Sequence, residues 1–335
     1  MDYTFFMPAI EQEAVVSNQQ IQKVKVKRLA HVGLWTTDVA AQVRFYHQVL
    51  GLDLHTTAAL QAERDLELDE ANVFLDLRSG EQCLGFFNET RPTASNGRKP
   101  VPRSQVHHLS LAVDSDAELA ALAARLKMAG HELTLQPRAN DPEQGDTLWL
   151  NDPDGNLLEI GVAVDDMFAH STSRGYSARL SPVALQHVAL YTGRLEEMVE
   201  FYTDALGFDI SDWLLRESAW LRCNSNHHSL MLTQGTSGID HVGFAATNGP
   251  ELLHWADQLS MHQAPLLWGP GRHGAGNDLF LRFADPDGVH IELSAELQQY
   301  FDRDVTIPPR LWHTRATALN LWGGLPSWAR EEAHV

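Results

Sequence analysis

The sequence predicts an α+β protein made of four copies of one strand-helix-strands (βαβββ) module, paired into two domains and closed by a C-terminal lid. Three observations carry that prediction. Residues 31–54, HVGLWTTDVAAQVRFYHQVLGLDL, lie over 187–210, HVALYTGRLEEMVEFYTDALGFDI, without a gap, aligning a histidine, a Phe-Tyr pair and a Leu-Gly pair. A second pair starts at His108 and His241, HLSLAVDSDAELAALAARLKMAGHEL against HVGFAATNGPELLHWADQLSMHQAPL. Each of these runs on to a DPDG turn and a closing strand, whose glutamate, Glu159 or Glu292, stands 51 residues after the histidine in both halves. Repetition at fixed spacing marks a duplicated supersecondary unit.

Taken in order, residues 1–27 form an N-terminal extension, and the run KVKVKR at 23–28 reads as a solvated approach to the first strand. The first domain covers 28–164 and the second 183–298, with 165–182 as a linker. In both, an alternating apolar stretch, read as a strand, leads into a helix with Phe-Tyr and Leu on its apolar face. Gly51 and Gly207 end those helices at positions suited to positive φ. The second module of each domain reads as strand, turn and helix, then the DPDG turn and a final strand. The tail, 299–335, carries Trp312, Trp322 and Trp328 with Pro326. It is too aromatic for a disordered end, and is expected to cover the second domain.

Composition excludes several functions. The formal net charge is -19, from 44 acidic against 25 basic residues, and binding to nucleic acid needs a cationic surface. No window reaches the roughly 18 unbroken apolar residues of a membrane span. The N-terminus lacks the basic-then-apolar order of a secretion signal, so a soluble, cytoplasmic protein is expected. Cys83 and Cys223, the only cysteines, are too few for a disulfide framework or a thiolate cluster. They read as buried small hydrophobes in a reducing compartment, which leaves the chemistry to 17 histidines and the carboxylates.

A histidine at the start of each module's first strand can point into the concave side of a curved sheet, and pairing two modules brings two such strands together. In the second domain this supplies His187 and His241, completed by Glu292. Two histidines and one carboxylate on one face of a metal leave open positions for substrate and dioxygen, as in non-haem ferrous oxygenases. Manganese suits the same donors, and so does zinc with a bound water. His31, His108 and Glu159 repeat the set in the first domain, where it reads as a relic or a structural site. Only the second half surrounds its set with groups that move protons. GPGRHGAGND at 269–278 brings His273, 19 residues before Glu292, where the first half has Asn140, and His227 and His228 precede His241.

The modules, the His…His…Glu set and GPGRHGAGNDLFLRFADPDGVHIEL resemble the type I extradiol ring-cleavage dioxygenases of the vicinal-oxygen-chelate superfamily, the homoprotocatechuate-cleaving group above all. The resemblance spans roughly 28–330, since WHTRATALNLWGGLPSWAREE is similar to the lid of those enzymes. It implies a vicinal-oxygen-chelate fold and an Fe(II) cofactor, with Mn(II) as a substitute. It also implies a catechol-type aromatic diol and dioxygen as reactants, a ring opened beside one hydroxyl to a muconic semialdehyde, and a homo-oligomer. By the same resemblance His227 is the acid-base residue, favoured over His228 because a strand turns only one of the two inward. His273 is the substrate-side hydrogen-bond donor, and Trp220 an aromatic wall of the pocket.

Two departures bear on substrate. The family tyrosine ten residues before the glutamate is Arg282 here, and a guanidinium cannot give and take a proton as a phenol does. It can stabilise an oxyanion, bind an acidic group of the substrate, or face solvent. Trp268 stands where the homoprotocatechuate enzymes carry an arginine for the substrate carboxylate, which with Trp220 favours a more apolar or bulkier catechol. Two other classes compete: an isomerase, epimerase or lyase that stabilises an enolate at the metal, and a non-catalytic protein that binds an aromatic ligand.

Overall fold

The computed structural model describes residues 24–55, 72–88, 105–138, 145–163, 180–301, 305 and 307–330; Asn140, the polar loop after Asn88 and residues 165–179 of the expected linker lie outside them. The first half runs β1 (Arg28–Thr36), α1 (Val39–Gln48), β2 (Asp53–Leu54), β3 (Val73–Asp76) and β4 (Gln82–Asn88), then β5 (Val106–Val113), α2 (Asp116–Met128), β6 (Thr134–Pro137), β7 (Asp146–Asn151) and β8 (Leu157–Val162). The second half repeats it: β9 (Ala184–Thr192), α3 (Leu195–Glu200) with a π-helical turn at Phe201–Ala205, β10 (Asp209–Leu214), β11 (Ser218–Arg222) and β12 (Leu230–Gln234). Then follow β13 (Gly238–Ala245), α4 (Gly249–Met261), β14 (Trp268–Arg272), β15 (Leu279–Ala284) and β16 (His290–Ala295).

Each half makes one sheet. The first has the order β2-β3-β4-β1-β5-β8-β7-β6, and the second follows the same path in the opposite listing, β14-β15-β16-β13-β9-β12-β11-β10. The two modules of a half meet through antiparallel first strands, β1 with β5 and β9 with β13. Each module's last strand lies parallel beside its first. This is the α+β arrangement of four paired βαβββ modules that the repeats predict. Gly51 and Gly207 adopt φ of +70° and +78° after their helices, as their places in the repeat require.

Apolar helix faces fill the space against the sheets. Val43 and Tyr46 of α1, Leu122 and Leu126 of α2, Met198 and Val199 of α3, and Trp255 and Leu259 of α4 all enter one buried cluster drawn from both halves. The halves also interlock through the repeated motifs. Tyr46 Oη donates to Asp285 Oδ2 at 3.2 Å and Tyr202 Oη to Asp152 Oδ2 at 3.1 Å, so the Phe-Tyr helix of each half holds the DPDG turn of the other. The second oxygen of each aspartate ties its own turn, accepting from Asp154 and Asn156 N in one case and Asp287 and Val289 N in the other.

The structure changes two expectations outside the repeats. Val24 and Val26 are buried, Val26 N donates to Leu206 O at 2.9 Å, and Lys25 pairs with Asp209 at 3.0 Å. The basic run is therefore a stitch between the halves rather than a solvated approach. The tail is more than a cover, because β17 (Arg310–Trp312) adds a ninth strand, parallel to β10, at the edge of the second sheet. A short helix, α5 (Arg315–Leu319), follows and buries Ala318 against the glycine-rich loop, whose Gly274 and Ala275 amides donate to Ala318 O. Trp322 lies against Arg272 and Trp328 against His290. Both cysteines are buried, as expected. Among the described residues no helix is long and apolar enough to cross a membrane.

Burial pushes the Asp152 carboxyl up to about 6 and that of Asp285 up to about 7, against hydrogen bonds that lower both. Through the interval from the ordinary carboxylate range to those values the folded chain keeps a proton that the unfolded chain has lost. Stability therefore falls as pH rises through that window. D285N, which can still accept from Val289 N, is expected to flatten this slope relative to wild type, measured as urea midpoints between about pH 4 and pH 7.

Candidate metal centre

The centre is a consequence of strand order and register. β9, β13 and β16 are neighbours in the middle of the second sheet. Gly243 of β13 faces His187 on one side and Glu292 on the other, and His241 lies two residues before it on the same face. A Cβ at Gly243 would come within 2.2 Å of His187 Cε1, so the imidazole occupies the space that glycine leaves. His187, His241 and Glu292 are all buried, with ligand atoms within 4.8 Å of one another. His187 Nε2 stands 2.8 Å from His241 Nε2 and 3.6 Å from Glu292 Oε1.

The surrounding residues prepare both imidazoles as ligands. His241 Nδ1 donates to Asp240 Oδ2 at 2.7 Å, and His187 Nδ1 to Gln186 Oε1 at 3.1 Å, which Ser294 Oγ fixes at 2.6 Å. Those oxygens only accept, so both Nε2 atoms carry lone pairs and converge on one point. Two such lone pairs facing each other beside a carboxylate suit a cation between them. The donor set of two imidazoles and a carboxylate thus fits a divalent iron or manganese. Burial together with His241 lowers His187 to about 3, keeping its imidazole neutral as a ligand must be. Burial alone would raise Glu292, but Arg282, His273 and His241 hold it well below the usual carboxylate range.

Arg282 is buried and does not face solvent. Its Nε donates to Glu292 Oε2 at 2.7 Å, Nη1 to Asp240 Oδ2 at 3.3 Å and Nη2 to His241 Nε2 at 3.2 Å. The guanidinium therefore neutralises one metal ligand and the carboxylate that orients another. β15 pairs Arg282 directly opposite Glu292, which makes this contact inevitable at that register.

Beside the candidate ligands lies a small cavity lined by Trp220, His228, Met231, His241, His273, Ala275, Arg282, Glu292, Ala318 and Leu319. Trp220 stands on it as expected. Trp268 does not: it packs against Phe280 with its centroid 4.7 Å away and lies 5.3 Å beneath the Arg282 guanidinium, a backing residue rather than a pocket wall. His273 is brought in, stacked on Phe280 at 3.8 Å, with Nδ1 donating to Leu319 O at 2.6 Å and Nε2 3.3 Å from Glu292 Oε2. Burial alone would lower His273, yet Glu292 and Asp278 raise it.

Of the two adjacent histidines, the structure places His228, not the expected His227, on the cavity. Both lie in the turn between β11 and β12, where the side-chain alternation of a strand does not apply. The backbone N–H of His227 donates to Gln298 O, and its Nε2 lies 3.2 Å from Asp212 Oδ2, on the tail side. His228 lines the cavity, its ring 4.3 Å from that of His187. Asp212 is held by Arg310 Nε at 2.8 Å and Trp312 Nε1 at 2.7 Å; His227 Nε2 lies 3.2 Å from both Asp212 Oδ2 and Arg310 Nη2, and its Nδ1 is 3.1 Å from His228 Nδ1. Sequence reasoning also missed Gln186, Asp240 and Asp212. The first two had a signal, since each directly precedes a ligand histidine where the first half has Ala30 and His107.

The description Glyoxalase/Bleomycin resistance protein/Dioxygenase superfamily matches residues 28–160 and 184–293. An iron-dependent extradiol dioxygenase of Rhodococcus jostii is 31% identical over 231 residues, 62% of this chain and 73% of that enzyme. Metapyrocatechase 2 of Cupriavidus necator is 28% identical over 200 residues, 54% of this chain and 62% of that one. Among solved structures, a Mn(II)-bound glyoxalase from Novosphingobium aromaticivorans superposes with a TM-score of 0.71 at 25% identity, covering 93% of this chain and 96% of the other. Homoprotocatechuate 2,3-dioxygenase from Arthrobacter globiformis gives 0.72 at 24%, covering 92% of each, a likeness of fold.

A G243A substitution keeps the strand backbone but drives a methyl group into His187. It is expected to cut metal affinity at least about tenfold, the scale on which displaced ligand orientation acts; competition with a chromogenic chelator measures it.

Proposed function

The chain belongs to the glyoxalase/bleomycin resistance protein/dioxygenase superfamily and, within it, to the metal-dependent extradiol dioxygenases, and from that membership we propose that its second half opens a compact, apolar catechol. The observation that carries this reading is the convergence of His187, His241 and Glu292 on one wall of a small cavity that has an aromatic side and two imidazoles. When bound, the iron or manganese supplies a chelation point for the diol and a path for electrons from ring to dioxygen.

The side chains divide the remaining work. Trp220 and Met231 form an apolar wall for the ring, and Ala275, Ala318 and Leu319 narrow the far side. His228, held by the His227–Asp212 chain, takes a proton from the diol or returns one to oxygen. His273, with its charged form favoured by Glu292, donates a hydrogen bond from the other side. Arg282 is already shared between two carboxylates, so it is a poor partner for an acidic group on the substrate. It supplies fixed positive charge where oxyanion character develops. The apolar wall and this occupied arginine support a catechol with an apolar rather than an acidic substituent.

A lyase or isomerase of the same superfamily is the second reading. The absence of a phenol at Arg282 and the likeness to the manganese glyoxalase over nearly all of both chains favour it. Oxygen uptake decides between them. Anaerobically purified, metal-loaded protein should consume one dioxygen per catechol and form a yellow product. H241A should abolish both. A panel of catechols that leaves oxygen untouched by the metal-loaded enzyme would overturn ring cleavage and favour the lyase reading.

H228Q is expected to lower kcat by about 10²–10⁴-fold, the usual worth of a positioned acid-base group, with H227Q costing less. Steady-state oxygen-electrode kinetics on both variants would show it. R282M takes the shared guanidinium from two buried carboxylates, Glu292 and Asp240, and should destabilise the metal-free protein by up to about 3–5 kcal/mol. Added Mn(II) should recover part of that loss in a thermal melt.

A further inference from the structure

We propose that the first half of the chain holds its own divalent cation, on His31, His108 and Glu159, independent of the centre in the cavity. The register is the same as in the second half: β1 and β5 set His31 opposite Ser110 and Gly33 opposite His108, and β5 and β8 set Ser110 opposite Glu159. All three side chains are buried, at 3%, 0% and 1% exposure, and their ligand atoms lie within 4.8 Å of one another. His31 Nε2 is 2.7 Å from His108 Nε2, and Glu159 Oε2 is 3.7 Å from the first and 3.6 Å from the second. The carboxylate is thus nearly equidistant from two imidazole nitrogens that face each other. Thr147 Oγ1 donates to the other oxygen, Oε1, at 3.1 Å and fixes that orientation. Gly33 makes room for the His108 ring, where a Cβ would come within 2.3 Å of Nδ1, the same device as Gly243 beside His187.

What differs is the surroundings, and they assign the role. Trp149 pairs with Glu159 as Arg282 pairs with Glu292, so an indole, not a guanidinium, takes that register position. Phe74 meets the His31 ring edge-on at 5.9 Å, and Phe87 and Trp149 lie 5.3 and 5.4 Å from His108. Aromatic rings form most of this shell, and the Arg138 guanidinium reaches the same face of β8, with Nη2 beside Gly161, two residues after Glu159. Two nitrogen donors and one oxygen suit a zinc, iron or manganese ion. In this shell the ion fastens β1, β5 and β8 together and has a structural rather than a catalytic role.

The test is a Co(II) titration of metal-stripped protein, followed by its visible d–d absorption and by metal analysis after gel filtration. Wild type should take up two equivalents, and H241A and H108A one each. Saturation of wild type at one equivalent, with none held by H241A, would overturn the proposal and leave a hydrogen-bonded His-His-Glu core. Should H108A fail to fold, wild type and H241A decide the matter between them. The result stands apart from the ring-cleavage reading. Two equivalents without oxygen uptake would keep this site and lose that activity, and one equivalent with oxygen uptake would do the reverse.

Discussion

The pairing of β9, β13 and β16 around Gly243 is the constraint on which the rest depends. Antiparallel pairing on one side and parallel pairing on the other bring His187 and Glu292 opposite the same residue. Because that residue has no side chain, the imidazole can lie across the strand instead of being pushed off it. The three residues that could hold a metal therefore come from adjacent strands of a sheet, and sites on such elements are held more firmly than sites on loops. Gln186 and Asp240 complete the arrangement by fixing the outer nitrogen of each imidazole, which turns strand geometry into ligand geometry.

A sheet centre alone would serve only as a metal staple. Reactivity requires access, and access is built from segments outside the module repeat. The glycine-rich loop brings His273, the turn after β11 brings His228, and the tail brings Ala318 and Leu319 to the far side. The tail has a second task, because Arg310 and Trp312 hold Asp212, which holds His227 and through it His228. The tail is thus wired to His228 as well as placed over the cavity. Edge strand β17 is what anchors it.

The duplicated architecture and the ligand triad were legible in sequence because both rest on spacing. A histidine and a glutamate at equal separation in two halves are visible without any knowledge of pairing. Errors arose where local backbone departs from regular structure or where a long side chain chooses among partners. Alternation could not choose between His227 and His228 in a turn. Nothing in the string tells that Arg282 reaches across to Glu292 and Asp240, since that follows from register between β15 and β16. The packing of Trp268 was hidden for the same reason: its neighbours Phe280 and Arg282 come from the adjacent strand.

The two triads show how duplication separates structure from chemistry. Both halves keep the sheet register, the glycine beside a histidine and two imidazoles facing a carboxylate. At the position opposite the glutamate, one half has Trp149 and the other Arg282. An indole there surrounds a metal with apolar surface and keeps reactants away, whereas a guanidinium brings charge and tolerates an adjoining polar cavity. The reciprocal Tyr46–Asp285 and Tyr202–Asp152 bonds mean that neither half holds its DPDG turn unaided. Retaining the first half is then a structural necessity for the second: it fixes the turn that leads into β16, and β16 carries Glu292.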